Sequence, residues 1–407
     1  PAPGGGSRIA WWIVVREERV WCVLSWAAPL MLVAVGFAWL LGLLRGRDGV
    51  VGGLFPWYSP GGLLGARAGL VLGLVFAWLA VLLPHLPTVN PGGLPVSVDT
   101  FYYTLFLERA DGLGLSSALR EVSMARPVYM VMLYGLHRLV GDPFLLMDVV
   151  HPLLAYSLLV VSVYRAAGRL LGEGYAGFAA LLAGLGHAVT AFTLNGLQAN
   201  SLALVFAIQL LVVESTAALA LLMLLVALIH PWTHVMYSAG LILYRWRSRS
   251  LRAALKTAGL AAATLALAEL AARALAGEGV VAATAKPLAP GRPLLGLLRG
   301  LHAMGWGSAL NAPIYVMAAL SPSPPAAAYL LAASSPLLLL GSITITHRLL
   351  VNTPLELLAA RLLASLPKQL RLALLLAAAS RYLVLLAAAQ PLTGSLWWSI
   401  IASHRPR

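Results

Sequence analysis

From Ala68 to Leu83 the chain reads "AGLVLGLVFAWLAVLL", without one charged side chain. Comparable runs recur along most of the sequence. A domain dissolved in water has no interior large enough for all of them. A bilayer core does, and takes roughly 20 apolar residues per crossing helix. The composition agrees, at 60% hydrophobic and 10% charged. The alternating apolar and polar pattern of a membrane barrel is absent. The sequence therefore predicts an all-α fold, a polytopic transmembrane helical bundle of about twelve spans. They are expected near 20–44, 67–86, 144–164, 174–194, 196–213, 216–230, 233–246, 256–276, 306–320, 326–345, 349–366 and 370–390. Residues 216–246 also allow one kinked or re-entrant unit around Pro231.

Residues 1–390 are read as a single transmembrane domain and 391–407 as a short tail. The segment at 20–44 reads as a span rather than a signal peptide, because "REER" precedes it and no cleavage site follows. A single cysteine, Cys22, excludes an internal disulfide and a Cys-rich metal site. The net charge of +14 does not call for nucleic acid. In a membrane chain, excess Arg and Lys marks cytoplasmic loops and contact with anionic lipid.

Those basic loops orient the chain. "YRWRSRSLRAALK" holds Arg245, Arg247, Arg249, Arg252 and Lys256, and is predicted to be cytoplasmic. Counting spans from it places Arg165, Arg169, Lys368 and Arg371 inside as well. The same parity places Asp99, Asp148, His151, Asn195, Gln198, Asn200, His230, His234, His302, His347 and Arg348 outside. Ionisable groups at the membrane edge are costly and are candidates for function. Their gathering on one face fits a site there better than scattered headgroup anchors do.

The stretch 87–143 follows the second span. It predicts an external loop with three amphipathic helices lying in the interface plane. "FYYTLFLERADGLG" has Phe101, Leu105 and Phe106 at helical spacing, and ends on a glycine cap signal. "LSSALREVSMARP" starts a second, which stops before Pro127, and "VYMVMLYGLHRLVG" makes a third, ending at Gly141. Tyr102 and Tyr103 read as interfacial anchors, with Tyr102 also beside Asp99.

A hydrophobic span, a Gly/Pro-rich turn, "VDTFYY", interfacial helices and "RPVYMVMLYGLHRLVGD" before the next span resemble the GT-C superfamily over residues 67–230. The likeness extends more loosely to "HRLLVNTPLELLAA" at 347–360. These are polytopic glycosyltransferases that use polyprenyl-phosphate-linked sugars. The resemblance implies transfer to a lipid, glycan or protein acceptor on the extracytoplasmic face of the plasma membrane. It casts Asp99 as the catalytic base. Arg348, His347, His230, His234, Asp148, His151 and Tyr102 are the substrate-binding candidates around it. No second carboxylate stands within two residues of Asp99, so there is no DxD or ExD pair, and a divalent metal ion stays an open option. The implied partners are membrane lipids and the lipid-linked donor. Arg suits the donor phosphate because its planar fork matches the phosphate oxygens.

Other classes stay open on the sequence. His230 and His234 stand four apart and could ligate a haem or a metal in a redox protein, although Pro231 favours His230 as the residue before a helix. "SPSPP" and "HPWTH" would suit the broken helices of a transporter. A non-catalytic scaffold of the same layout is the remaining alternative.

Overall fold

The computed structural model describes residues 65–97, 99–121, 126–277, 279–280, 330 and 352–387. All regular structure among them is helical. The expected spans at 20–44 and 306–320, and all of 326–345 except Leu330, lie outside the described residues, as do His302, His347 and Arg348.

Helix α1 runs Ala66–Leu82 and ends in a 3-10 turn, Leu83–His85. The three helices expected in the external loop are α2 (Thr100–Leu113), α3 (Leu115–Glu121) and α4 (Pro127–Val140). Their ends follow local chemistry. Gly114 closes α2 at φ 83°. Pro127 opens α4, where a missing N–H costs nothing. Gly141, at φ 82°, returns its amide to the His137 carbonyl at 2.7 Å.

Asp142 then caps the next turn, its Oδ1 accepting from Phe144 and Leu145 at 2.8 and 3.0 Å. That turn, Pro143–Leu145, passes through a π-helical segment, Leu146–Val150, into α5 (His151–Leu170). Among the described residues seven helices follow: α6 (Glu173–Leu185), α7 (His187–Asn195), α8 (Gln198–Leu210), α9 (Thr216–Ile229), α10 (Pro231–Ser248), α11 (Leu251–Ala276) and α12 (Leu355–Ser365). The last described helix is α13 (Lys368–Ala387).

Among the described residues, three segments are long and apolar enough to cross a bilayer: Ala66–His85, Pro143–Leu170 and Leu251–Ala276. That points to a membrane protein. One expectation needs adjustment. The span at 174–194 is two helices, because Gly186 takes an extended conformation (φ −74°, ψ 163°) between α6 and α7. A side chain there would collide with the Glu356 carboxylate, since a Cβ would lie 2.5 Å from its Oε1. Residues 216–246 are two helices divided at His230, matching the separate segments 216–230 and 233–246 rather than one kinked unit.

The packing centres on α1, α5, α6 and α8. The tightest seam joins α1 to α6. A Cβ on Gly69 would lie 2.2 Å from the Gly177 carbonyl oxygen, and one on Gly184 would lie 2.1 Å from that of Gly73. The backbones touch, as small residues at four-residue spacing permit in apolar surroundings. Polar groups hold α5 to α8: Ser162 Oγ donates to the Val205 carbonyl at 2.7 Å, and Gln209 Nε2 donates to the Ser162 carbonyl at 2.9 Å. Inside hydrocarbon, such groups must be satisfied within the protein.

Candidate functional site

Residues 94–97 and Asp99 lead into α2, and this loop is held from three sides. Asn90 clamps its start: Oδ1 accepts from Leu94 N at 3.1 Å, and Nδ2 donates to the Leu94 carbonyl at 2.6 Å. Asp148, in the π-helical turn before α5, holds its middle. Its Oδ2 accepts from Val96 N at 3.0 Å, and its Oδ1 accepts from Thr100 Oγ1 at 2.5 Å. Ser97 Oγ stands 3.4 Å from the same Oδ1 and bonds to the Thr100 hydroxyl. Thr100 commits its proton to the carboxylate, so Ser97 is the donor between the two hydroxyls. Gly196, in the α7–α8 turn, covers the third side. It takes φ 69°, and a Cβ there would lie 2.6 Å from Ser97 Oγ and 2.9 Å from Asp99 N.

Asp99 emerges from this clamp half-buried, at the N-cap position of α2. Its side chain makes no capping bond with the helix. A small recess beside the loop is lined by His85, Asp148, Tyr156, Thr193 and Gln198, among others. Asp99 and Asp148 therefore belong to one neighbourhood, although 48 intervening residues hid this from any local motif.

His151 lies behind Asp148 and is buried. Its Nε2 is 3.1 Å from Tyr129 Oη, and its Nδ1 is 3.3 Å from Gln198 Oε1. Gln198 Nε2 donates to the Met147 carbonyl at 3.3 Å, which fixes the amide with its oxygen toward the ring. The arrangement suits the Nδ1–H tautomer, with Tyr129 donating to Nε2. Tyr103, Tyr129 and His151 form an edge-to-face series with both centroid separations at 5.8 Å. Arg126 Nη1 closes it, donating to Tyr103 Oη at 2.9 Å.

The two tyrosines after Asp99 therefore separate. Tyr102 is 50% exposed, whereas Tyr103 is 2% exposed and sits in the core, where an interfacial anchor would not. The inward stripe of α2 runs through Thr100, Tyr103, Thr104, Leu107 and Ala110 as well as Phe106. Phe101 and Leu105 lie beside it, half-buried. The expected face was offset by about one residue, because two threonines face inward against Asp148 and the helix's own turn.

His230 and His234 form a second cluster. His230 caps α10, its Nδ1 3.3 Å from Thr233 N and 2.7 Å from Thr233 Oγ1. The Thr233 hydroxyl also lies 2.7 Å from Oδ1 of both Asn200 and Asn352. Three helix N-termini, of α8, α10 and α12, thus meet around one threonine. His234 turns instead to α11, its Nε2 3.0 Å from Thr264 Oγ1. The two imidazoles engage different partners and do not face one another's. Among the described residues, no three His, Cys, Asp or Glu side chains converge as a metal site would require.

The sequence reading passed over Ser97, Thr100, Gly196, Tyr129, Asn352 and Glu356. Only Glu356 carried a local signal, a carboxylate inside the apolar run "LELLAA". No model of a known family, no curated protein and no solved structure matches this chain.

Proposed function

We propose that the chain is a membrane glycosyltransferase resembling the GT-C superfamily, with about twelve spans of the length a bilayer needs. It moves a sugar from a polyprenyl-phosphate-linked donor to a lipid, glycan or protein acceptor on the extracytoplasmic face of the plasma membrane. The observation that carries this reading is the clamped loop: Asp148 and Gly196 fix the backbone around a half-buried Asp99. A carboxylate presented on a rigid loop at a membrane edge is what base catalysis at an interface needs.

In the proposed reaction the acceptor hydroxyl attacks the anomeric carbon, with inversion. The carbon–oxygen bond to the donor phosphate breaks, and the phosphate leaves with the electron pair. Asp99 takes the hydroxyl proton. Basic side chains at the outer edge, Arg348 and His347 among them, neutralise the departing phosphate.

Replacing Asp99 by Asn keeps its size and removes the base. Transfer of sugar from a polyprenyl-phosphate donor is expected to fall by roughly 10²-fold or more, with folding kept. Parent-like turnover would remove Asp99 from the mechanism. A polyprenyl-phosphate species among copurifying lipids, read by mass spectrometry, would support the substrate class. Its absence, together with no transfer by the parent chain, would favour a non-catalytic scaffold.

A further inference from the structure

At the far ends of α5 and α10 from the Asp99 loop, the structure opens a second cavity of about 670 Å³. From His151 to Arg169 along α5 the axial distance is about 27 Å, at 1.5 Å per residue. The cavity is therefore separate from the site described above. Three helix ends build it: the last turn of α5, the α8–α9 connection at 210–215, and the last turns of α10. Arg169, Arg245 and Arg249 line it, with Glu214, Ser215 and Tyr244, above an apolar wall that includes Leu211 and Leu241.

Arg245 decides what this cavity is for. It is only 8% exposed, and Nη1 makes a 3.2 Å bond to Thr257 Oγ1. A guanidinium has five N–H donors, and a hydroxyl answers one of them. A buried charge without a counter-charge is among the costlier things a fold can contain. Glu214 is the acidic residue of the lining, yet among the described residues neither Arg245, Arg169 nor Arg249 forms an ion pair with it or with another carboxylate. Lys256 adds a fourth cation nearby, its Nζ donating to Thr216 Oγ1 at 3.1 Å, one residue from Ser215. The carbonyl ends of α5, α8 and α10 complement these cations in part, since helix C-termini carry partial negative charge. That field is spread over several carbonyls and leaves the forked donors of Arg245 without a matching anion.

We infer that this cavity binds a phosphate-bearing anion, either a lipid headgroup or a soluble phosphate, with Arg245 as its buried anchor and Arg169 and Arg249 at its rim. Phosphate matches the geometry because its oxygens accept from a planar fork. The volume lies within the range of about 300–1,000 Å³ that ligand sites occupy. The apolar wall beside the arginines gives the carbon skeleton of such a ligand somewhere to lie. The inference does not depend on the glycosyltransferase reading, because none of these residues takes part in it.

The test uses the full chain in nanodiscs of neutral phosphatidylcholine. One arm titrates inorganic phosphate and glycerol phosphate against thermal unfolding, with chloride held at equal ionic strength. The other replaces a fifth of the lipid with phosphatidylglycerol. The parent is expected to gain several degrees in at least one arm. Protection by phosphatidylglycerol alone identifies a lipid headgroup, and protection by the soluble anions identifies a free phosphate. Arg169→Gln and Arg249→Gln alter rim positions and leave the buried charge in place. Each is expected to raise the half-saturating anion concentration, or the phosphatidylglycerol fraction needed, by tenfold or more. Arg252→Gln, in the same basic loop but outside the cavity lining, is expected to respond like the parent. Arg245→Gln is expected to abolish the response. If that variant fails to fold, the two rim variants still decide. No protection in either arm, or equal protection of all variants and of Arg252→Gln, overturns the inference.

Discussion

Asp148 accepts a 3.0 Å hydrogen bond from the backbone amide of Val96, 52 positions earlier in the chain. With the Thr100 hydroxyl on its other oxygen, the carboxylate fixes both sides of Asp99 without being its sequence neighbour. Removing it strands the Val96 N–H and the Thr100 hydroxyl in buried positions, at about 1–3 kcal/mol for each unsatisfied group.

Asp148→Ala is therefore expected to loosen the loop before α2. A cysteine introduced at Pro95, in a background with Cys22→Ser, reports this through its rate of maleimide labelling. The rate should rise several-fold when Asp148 is replaced. An unchanged rate would mean that Asp148 does not hold the loop.

Gly196→Ala tests the clamp from the other side. Gly196 takes φ 69°, where a side chain is strained, at about 1–3 kcal/mol. Its Cβ would also press on Asp99 N and Ser97 Oγ. Turnover is expected to drop by more than the loss of thermal stability accounts for. Equal losses in both would make the turn a matter of folding alone.

The α1–α6 seam makes two glycines behave in opposite ways. Gly73→Leu must force apart touching backbones and is expected to cost at least the 1–3 kcal/mol typical of overpacking. Gly259 lies in α11 with nothing within 4 Å of where its Cβ would stand. Gly259→Ala should gain about 0.5–1 kcal/mol from helix propensity. Thermal unfolding in detergent checks both, and equal effects at the two positions would refute the seam.

Acid should act on the pairing of α2 with α4 first. Asp111 accepts from His137 Nε2 at 2.7 Å, and this bond holds its carboxyl below the usual value of 3.8. A depressed folded value means that the stabilisation is present above the unfolded value and lost as pH falls through the folded one. Below about pH 4, the parent should lose thermal stability more steeply than Asp111→Asn. Parallel curves would show that this pair carries no pH-dependent stability.

Much of the framework was legible because its signals are local. Pro127, Gly141 and Gly114 mark helix ends through their own backbones, and the apolar runs around α1, α5 and α11 declare their solvent. The site was legible only in part. Asp99 stood out as a carboxylate beside an apolar segment. Asp148 was visible too, but its role was not, because that depends on which loop folds back upon it. Tyr102 and Tyr103 look alike in sequence and differ in burial, since the helix phase is set by Thr100 packing against Asp148. His230 and His234 share a spacing that suits a common ligand, yet the helices around them draw one toward Asn200 and Asn352 and the other toward Thr264.

The contact between Gly69 and Gly177 also restricts traffic. A ligand dissolved in the bilayer reaches the inside of a bundle by slipping sideways between two helices. Where two backbones touch along two turns, no gap can open without tearing the helices apart. Helix α1 is thus sealed along these turns against α6, whose residues from Ala176 to Leu185 are all buried, and no lateral opening for a lipid-borne molecule can form between this pair.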